Sequence, residues 1–164
     1  MILFAHSNFM VQDDKQMARM RPYAPLSTLI AAALLRGEGH EVALFDATFA
    51  LGIDAFERML GEVRPRVVAI MEDNFNFLTK MCTTVRRDSA LAMIRLARAR
   101  GCRVAVNGPD ASDNPLPYFE AGAHAVILEW KCNFSVANFR FQRGLLPRLK
   151  KPPIEAGTRY FECP

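Results

Sequence analysis

Short apolar runs alternate with amphipathic segments along the first 128 residues of the chain. The runs are rich in Val, Ile, Leu and Ala, which is typical of strands buried on both faces of a parallel sheet. The segments between them carry apolar residues at helical spacing and end near glycine or proline. The pattern predicts strands at residues 2–5, 41–45, 66–71, 102–106 and 124–128, and helices at residues 26–35, 86–100 and 115–121 and through Phe56, Met59, Leu60 and Val63.

The alternation of strands and helices predicts an α/β fold. Right-handed crossovers between parallel strands give a Rossmann-like, doubly wound sheet of five strands, most simply in the flavodoxin-like order 2-1-3-4-5. In that order the switch point lies between strands one and three, and ligands bind at the carboxyl ends of the strands around it. The loops that we expect to meet there begin at His6, Glu72 and Asn107.

The loop after strand three is the most polar of these loops. It begins with Glu72, Asp73, Asn74 and Phe75, directly after the apolar run 67–70. One interpretation is a ligand site; the other is that Asp73 and Asn74 cap the next helix while the aromatic residues join the core. A pair of carboxylates for acid–base chemistry or for Mg²⁺ would need a second loop, such as the one that carries Asp110.

The other two loops leave alternatives open as well. His6 could be a metal ligand or a proton donor, or an ordinary hydrogen-bonding residue. Gly108 could let the backbone approach a ligand closely, or it could serve only the turn. No glycine-rich phosphate motif follows strand one, which disfavours nicotinamide and ATP cofactors bound in their usual loops.

Composition narrows the class of protein. The 164 residues suit one domain, and 51% of them are hydrophobic, as in globular proteins. The net charge of +4 belongs to the end of the chain, since residues 1–130 carry one more acidic than basic residue. We therefore expect no nucleic acid partner, and without a membrane-length apolar run or a signal peptide we expect a cytoplasmic protein with no membrane contact. The four cysteines are irregularly spaced, which is typical of thiols in a reducing compartment.

The order of several motifs resembles the amino-terminal cobalamin (B12)-binding domain of radical S-adenosylmethionine enzymes. The resemblance covers residues 1–128, the predicted α/β domain. It is carried by a proline-flanked helix start, a Gly-His-Glu-Val turn and later segments that match in order, namely residues 22–29, 39–42, 45–47, 64–68, 107–112 and 121–126.

The resemblance implies that a corrinoid lies against the carboxyl ends of the strands. The positions that would bind it are His6, Ser7, Asn8, Glu72, Asp73, Asn74, Phe75, Asn107, Gly108, Pro109, Asp110 and Ser112. The chain has no C-x3-C-x2-C motif, so no iron–sulfur cluster is expected, and we assign the chain no catalytic residue and no metal ligand. It would not be catalytic alone, and a radical S-adenosylmethionine catalytic domain would be its partner. Asn107 departs from the paired glycine of the family at this point.

Residues 129–164 break the strand–helix rhythm. They contain four prolines and alternate basic residues with isolated aromatic ones. Shifting the reading frame by one base after Leu128 yields a sequence close to the turn that the family has there. We interpret this tail as poorly ordered or as a frameshifted read-through, with a naturally diverged tail as the alternative.

Two other functions compete with cobalamin binding. One is a flavodoxin-like regulatory module that binds a small ligand or a protein and no corrinoid. The other is a small hydrolase that uses Glu72 or Asp73, against which stands the lack of a nucleophile motif such as G-x-S-x-G.

Overall fold

The computed structural model describes residues 1–20, 22–72 and 83–127 of the chain. Its strands are β1 (Ile2–Ala5), β2 (Val42–Phe45), β3 (Val67–Met71), β4 (Arg103–Asn107) and β5 (Ala125–Ile127). A 3₁₀ turn at Met10–Gln12 precedes the helices α1 (Asp14–Arg19), α2 (Leu26–Gly37), α3 (Ile53–Val63), α4 (Thr83–Ala99), α5 (Pro109–Asp113) and α6 (Leu116–Glu120). The predicted tail, residues 129–164, lies outside the described residues.

The five strands form one parallel sheet in the order β2-β1-β3-β4-β5. This confirms the predicted fold class and strand order. Ala5 lies beside Phe45 on one side and beside Ile70 on the other, while Met71 lies beside Asn107. The carboxyl ends of the first four strands therefore meet along one edge of the sheet.

Helices cover both faces of the sheet, as parallel strands require. On one face, Ala31, Ala32 and Leu35 of α2 pack with Ile2 and Phe4 of β1. The other face carries the larger core, in which α3, α4 and α6 pack against alternate residues of the central strands; its members include Leu3, Ala5, Phe56, Leu60, Val68, Ile70, Met93, Ile94, Val104, Val106 and Tyr118. This reversal of helix placement on either side of β1 produces the switch point between β1 and β3.

Two short helices stand where the sequence pattern predicts only loops. Helix α1 is capped by Asp13, whose Oδ1 accepts hydrogen bonds from the backbone N–H groups of Lys15 at 3.0 Å and Gln16 at 3.1 Å. Helix α5 begins with Pro109, a residue that suits the first helical position because it needs no N–H partner there. Both starts are short-range signals that a search for hydrophobic periodicity misses.

The length and hydropathy of the helices bear on membrane crossing. Within the described ranges, not one helix is both long enough and apolar enough to cross a bilayer.

Candidate functional site

The structure brings the loops after β3 and β4 together at the carboxyl edge of the sheet. The backbone N–H of Glu72 donates to the carbonyl of Asn107 at 2.7 Å, so the segment after β3 stays paired with β4 for one residue beyond the end of β3. The loop after β1 lies on the other side of β3. The predicted site residues Asp73, Asn74 and Phe75 lie outside the described residues.

Glu72 is held at both carboxyl oxygens by the helices that follow β4. Its Oε2 accepts a hydrogen bond from the backbone N–H of Ala111, in α5, at 2.9 Å. Its Oε1 contacts the hydroxyl of Tyr118, in α6. Glu72 is only 7% exposed and Tyr118 is fully buried, so this carboxyl group is fixed in a place from which most water is excluded.

The same tyrosine hydroxyl also reaches Asp110, at 2.6 Å from Oδ2. Arg87 of α4 binds both oxygens of Asp110, with Nε donating to Oδ2 at 2.6 Å and Nη2 donating to Oδ1. We call Glu72, Tyr118, Asp110 and Arg87 the glutamate network. It links β3, α4, α5 and α6 through polar contacts within the described chain.

The electrostatics of the network favour an ionised Asp110 and a neutral Tyr118. Burial raises the pKa of Asp110, but the hydrogen bonds from Arg87 and Tyr118 outweigh it and hold that pKa below its ordinary value. Burial raises the pKa of Tyr118 far above its usual range, and its contacts with Glu72 and Asp110 add to the effect. The tyrosine hydroxyl therefore keeps its proton throughout the physiological range.

Gly108 touches this network directly. A Cβ atom at this position would lie 2.2 Å from Cβ of Glu72 and 2.3 Å from its Oε2, which is far inside van der Waals contact. The space beside Gly108 is thus filled by the Glu72 side chain. The glycine permits a close approach, as the sequence suggested, but the approaching group is Glu72.

The remaining predicted residues of the β4 loop make local contacts. Asn107 donates from Nδ2 to the carbonyl of Ile127 at 3.0 Å and so joins β4 to the end of β5. Ser112 donates from Oγ to the carbonyl of Gly108 at 2.7 Å within α5. Pro109 begins that helix. These residues shape the loop that positions Asp110 and Ala111.

His6 and Asp46, which we call the histidine pair, lie at the ends of β1 and β2. The His6 Nδ1 accepts a hydrogen bond from the backbone N–H of Asn8 at 3.2 Å, and its Nε2 lies 2.9 Å from Oδ1 of Asp46. The backbone N–H of Ala47 approaches the same Nε2 at 3.1 Å, but the charged carboxylate favours Nε2 as the donor and so places the ring proton there. Both ring nitrogens are engaged within the protein, so His6 joins two loops as an ordinary hydrogen-bonding residue.

Asp46 is ionised at any physiological pH. The hydrogen bond from His6 holds the pKa of Asp46 far below its ordinary value, and the hydrogen bond that the backbone N–H of Thr48 donates at 2.9 Å adds to this against the opposing effect of burial. Its side chain is 44% exposed, so water reaches this carboxylate. In the sequence Asp46 is recognisable only as the end of a strand, although an aspartate at the carboxyl end of a strand is a signal that points to this edge.

The other two residues of the β1 loop are buried. Ser7 is 2% exposed and Asn8 is 6% exposed, and the Asn8 amide donates to the hydroxyl of Tyr23 at 3.1 Å. Within the described ranges, Oδ1 of Asn8 and Oγ1 of Thr48 are buried without a hydrogen-bond partner.

Helix α4 anchors the loops on both sides of the switch point. Arg86 donates from Nη1 to the carbonyl of Phe9 at 2.7 Å, after β1, while Arg87 binds Asp110, after β4. Ser89 donates to Oε1 of Gln12 at 2.7 Å. Sequence reasoning missed these anchors, although two arginines near the start of a helix oppose its dipole and indicate acceptors nearby.

The ligating side chains of the chain do not gather into a metal centre in the ranges that the structure describes. No group of three or more His, Cys, Asp or Glu side chains is arranged there to hold a metal ion. Cys102 is a buried free thiol whose Sγ lies 3.2 Å from the carbonyl of Pro65, and burial raises its pKa.

Comparisons with known proteins give a fold likeness alone. No family model matches the chain, and no curated protein matches it. Among solved structures, the crystal structure of TesA matches with 18% identity and a TM-score of 0.49, covering 92% of this chain and 98% of that chain. A likeness at this level does not transfer an activity.

The assignment to the cobalamin-binding domains of radical S-adenosylmethionine enzymes is wrong, because no family model supports it. The function and the descriptive terms drawn from that assignment fall with it, and the alternative of a flavodoxin-like regulatory module gains no support. Cobalamin as a cofactor and a radical enzyme as a partner stay predictions that no contact in the described chain tests.

The physical reason for the error lies in the motifs themselves. Gly39 and Gly122 belong to the two glycine turns that carried much of the resemblance, and they have φ values of +86° and +108°. Both residues follow helices that lead into strands, and the left-handed conformation there favours glycine whatever the protein binds. The motifs are therefore typical of the helix-to-strand turns of any parallel α/β sheet, and they do not indicate that the protein binds a corrinoid.

Proposed function

We propose that the carboxyl edge of β3 and β4 is an acid–base active site that hydrolyses a small polar substrate, with Glu72 exchanging the proton. The observation that carries the proposal is the fixed, buried carboxyl group of Glu72, held at both oxygens by Ala111 and Tyr118. It stands at the end of a central strand beside the switch point, where parallel α/β sheets bind their ligands.

A purely structural role would not require a carboxyl group at this position. Glutamine has the same shape and could accept the hydrogen bond from Ala111 while its amide group faced Tyr118. A carboxyl group costs more free energy to bury than an amide if it ionises, so its use here favours a role in which it gains and loses a proton.

In the proposed reaction, Glu72 donates its proton to the leaving oxygen of an ester. Water adds its hydroxyl group to the acyl carbon as the bond to the leaving oxygen breaks, and the second proton of that water returns to Glu72. The products are a carboxylic acid and an alcohol, and Glu72 ends the cycle in its starting state.

The test compares Glu72→Gln with the wild-type chain on p-nitrophenyl acetate and p-nitrophenyl butyrate. General acid–base catalysis contributes a factor of roughly 10²–10⁴, so we expect kcat to fall by that factor in Glu72→Gln. The matched control is Glu62→Gln, which makes the same chemical change on an exposed position of α3 and should keep the wild-type rate. The proposal is overturned if the wild-type chain releases nitrophenol no faster than buffer, or if Glu72→Gln keeps the full rate while folded.

We also propose a cytoplasmic location for the chain. The irregular spacing of the four cysteines supports it, and so does the burial of the reduced Cys102. Fractionation of the native host followed by immunodetection would test this location, and recovery of the protein outside the cytoplasm would contradict it.

A further inference from the structure

The two faces of the sheet differ in burial at β3 and β4. The residues of these strands that face the larger core are fully buried, namely Val68, Ile70, Val104 and Val106. The apolar residues that alternate with them, Val67, Ala69 and Ala105, are only half-buried, and so is Ile127 on the same face of β5. We call Val67, Ala69, Ala105 and Ile127 the open face.

Helix α2 lies on the same side of the sheet as the open face but covers only part of it. Its buried residues form a small core with β1, and Val67 and Ala69 lie at the border of that core. Ala105 and Ile127 belong to neither core. Since the strands of a parallel sheet are normally covered on both faces, this side of the described sheet lacks one covering element beside α2.

We propose that the segment after β5, residues 128–164, packs against the open face beside α2. Ile127 ends β5, which pairs with β4, and the chain continues from there to Pro164. The opposite face is already covered by α3, α4 and α6, so the open face is the apolar surface of the sheet that this segment can still cover.

This packing is independent of the proposed function, because it concerns a face of the sheet rather than its carboxyl edge. It takes residues 129–164 as native sequence, which is the alternative given above to a frameshifted read-through. The aromatic residues of the segment then have a structural role on the open face.

The segment carries an apolar stripe at helical spacing. Trp130, Phe134, Ala137 and Phe141 follow one another at i, i+4, i+7 and i+11, and we call them the tail stripe. Polar residues have the same spacing one position later, namely Lys131, Ser135, Asn138 and Gln142. Gly144 follows as a helix stop. The pattern predicts an amphipathic helix over residues 130–143, whose apolar side matches an uncovered sheet face.

The dimensions of this predicted helix suit the open face. Strands β3 and β4 have 5 residues each, and a strand of that length spans about 17 Å. A helix over residues 130–143 would span about 21 Å, which is enough to run back along the strands. The small side chains of Ala69 and Ala105 leave space above the sheet that the large rings of Trp130 and Phe134 can fill.

The fluorescence of Trp130 tests the proposal in the full chain, because Trp130 is the single tryptophan of the sequence. A tryptophan that packs on an apolar surface emits at a shorter wavelength than a tryptophan in water. We therefore expect the emission maximum of the native chain to lie at a clearly shorter wavelength than that of the same chain in concentrated urea. Equal maxima would overturn the proposal.

Ala105→Lys tests whether the open face is the surface that Trp130 contacts. A charged side chain in the middle of the face should displace the tail stripe and shift the emission to longer wavelength. The matched control is Ala33→Lys, the same change at an exposed position of α2, which should leave the emission unchanged. Far-UV circular dichroism establishes that each variant is folded, and an unchanged emission in folded Ala105→Lys contradicts the proposal.

Substitutions in the segment itself keep the proposal testable if Ala105→Lys does not fold. Phe134→Asp places a charge on the tail stripe, whereas Phe139→Asp makes the same change on the other side of the predicted helix. We expect Phe134→Asp to shift the Trp130 emission to longer wavelength and to increase binding of the dye 1-anilinonaphthalene-8-sulfonate, because the open face is then exposed. Phe139→Asp should do neither, and equal effects of the two substitutions would refute the packing.

Protein concentration separates this proposal from the alternative that a second copy of the chain covers the open face. Packing within one chain gives an emission maximum that does not change on dilution. A maximum that moves to longer wavelength as a dimer dissociates, followed by analytical ultracentrifugation, would assign the open face to a second copy and overturn the proposal.

Discussion

The histidine pair and the glutamate network occupy the same edge of one sheet, but they differ in their burial and in the hydrogen-bond partners of their polar atoms. Both ring nitrogens of His6 contact protein groups, and the side chain of its partner Asp46 is partly exposed to water. In the glutamate network Glu72 and Tyr118 are buried, the side chains of Asp110 and Arg87 are partly exposed, and one hydroxyl group lies between two carboxyl groups. A residue type associated with catalysis is therefore a weaker sign of function than a carboxyl group buried at the end of a central strand.

Closing the space between Gly108 and Glu72 should destabilise the chain more than any other change at this edge. In Gly108→Ala the new Cβ would overlap Cβ of Glu72, and neither atom lies at the end of a flexible side chain. We expect a loss of about 3 kcal/mol in the free energy of unfolding, measured by urea denaturation, since overpacking of this kind forces the backbone to move.

Gly37→Ala is the matched control for that substitution. Gly37 lies in the last turn of α2, and a Cβ there would meet nothing within 4 Å. Alanine suits a helix better than glycine, so this variant should be as stable as wild type or more stable by about 0.5–1 kcal/mol. A similar loss in both variants would show that the Glu72 side chain does not lie against Gly108.

The next effect compares the two tyrosine hydroxyl groups at this edge. Tyr118→Phe removes a hydroxyl group from between the buried carboxyl group of Glu72 and the partly buried one of Asp110, and we expect it to cost about 2 kcal/mol in urea denaturation. Tyr23→Phe removes the acceptor of the Asn8 amide at a half-buried position and should cost about 1 kcal/mol or less. If the second substitution costs as much as the first, the glutamate network is no more tightly coupled than the β1 loop.

A weaker effect concerns acid unfolding through Asp46. Its pKa is lowered in the folded chain, so the unfolded chain takes up the proton first as the pH falls. Its stabilising contribution is therefore present above the ordinary pKa of 3.8 and is lost as the pH falls below that value. We expect Asp46→Asn to flatten this part of a pH-dependent denaturation curve and to cost about 1 kcal/mol or less at pH 7, because water screens this carboxylate.

Protonation of His124 affects stability in a different pH range from protonation of Asp46. It lies at the amino end of β5, away from the site, where burial lowers its pKa and the charges of Arg98 and Arg103 lower it further. The folded chain resists protonation of His124, so its effect on stability begins as the pH falls below 6.5. A loss near pH 6 that persists in Asp46→Asn but disappears in His124→Asn would assign the two ranges correctly.

Much of the fold could be predicted from the sequence, because its signals are local and repeated. Buried strands of β-branched and other apolar residues, helices with one apolar face, and glycines after the helices each follow from the properties of neighbouring residues. Glu72 could likewise be placed at the carboxyl edge, since it comes directly after a buried strand. The same local signals produced the wrong family assignment, because every sheet of this kind requires similar turns.

The members of the glutamate network are separated along the chain, and no sequence motif indicates that they contact one another. The order of the elements and the edge at which polar loops emerge can be predicted from the sequence. Both depend on the periodicity of hydrophobic residues and on right-handed crossovers between parallel strands. The contact of one tyrosine hydroxyl with two carboxyl groups, and the engagement of both nitrogens of His6, became visible only once the chain was folded. Both depend on distances between side chains from different elements, which the packing of the helices and loops around the sheet sets.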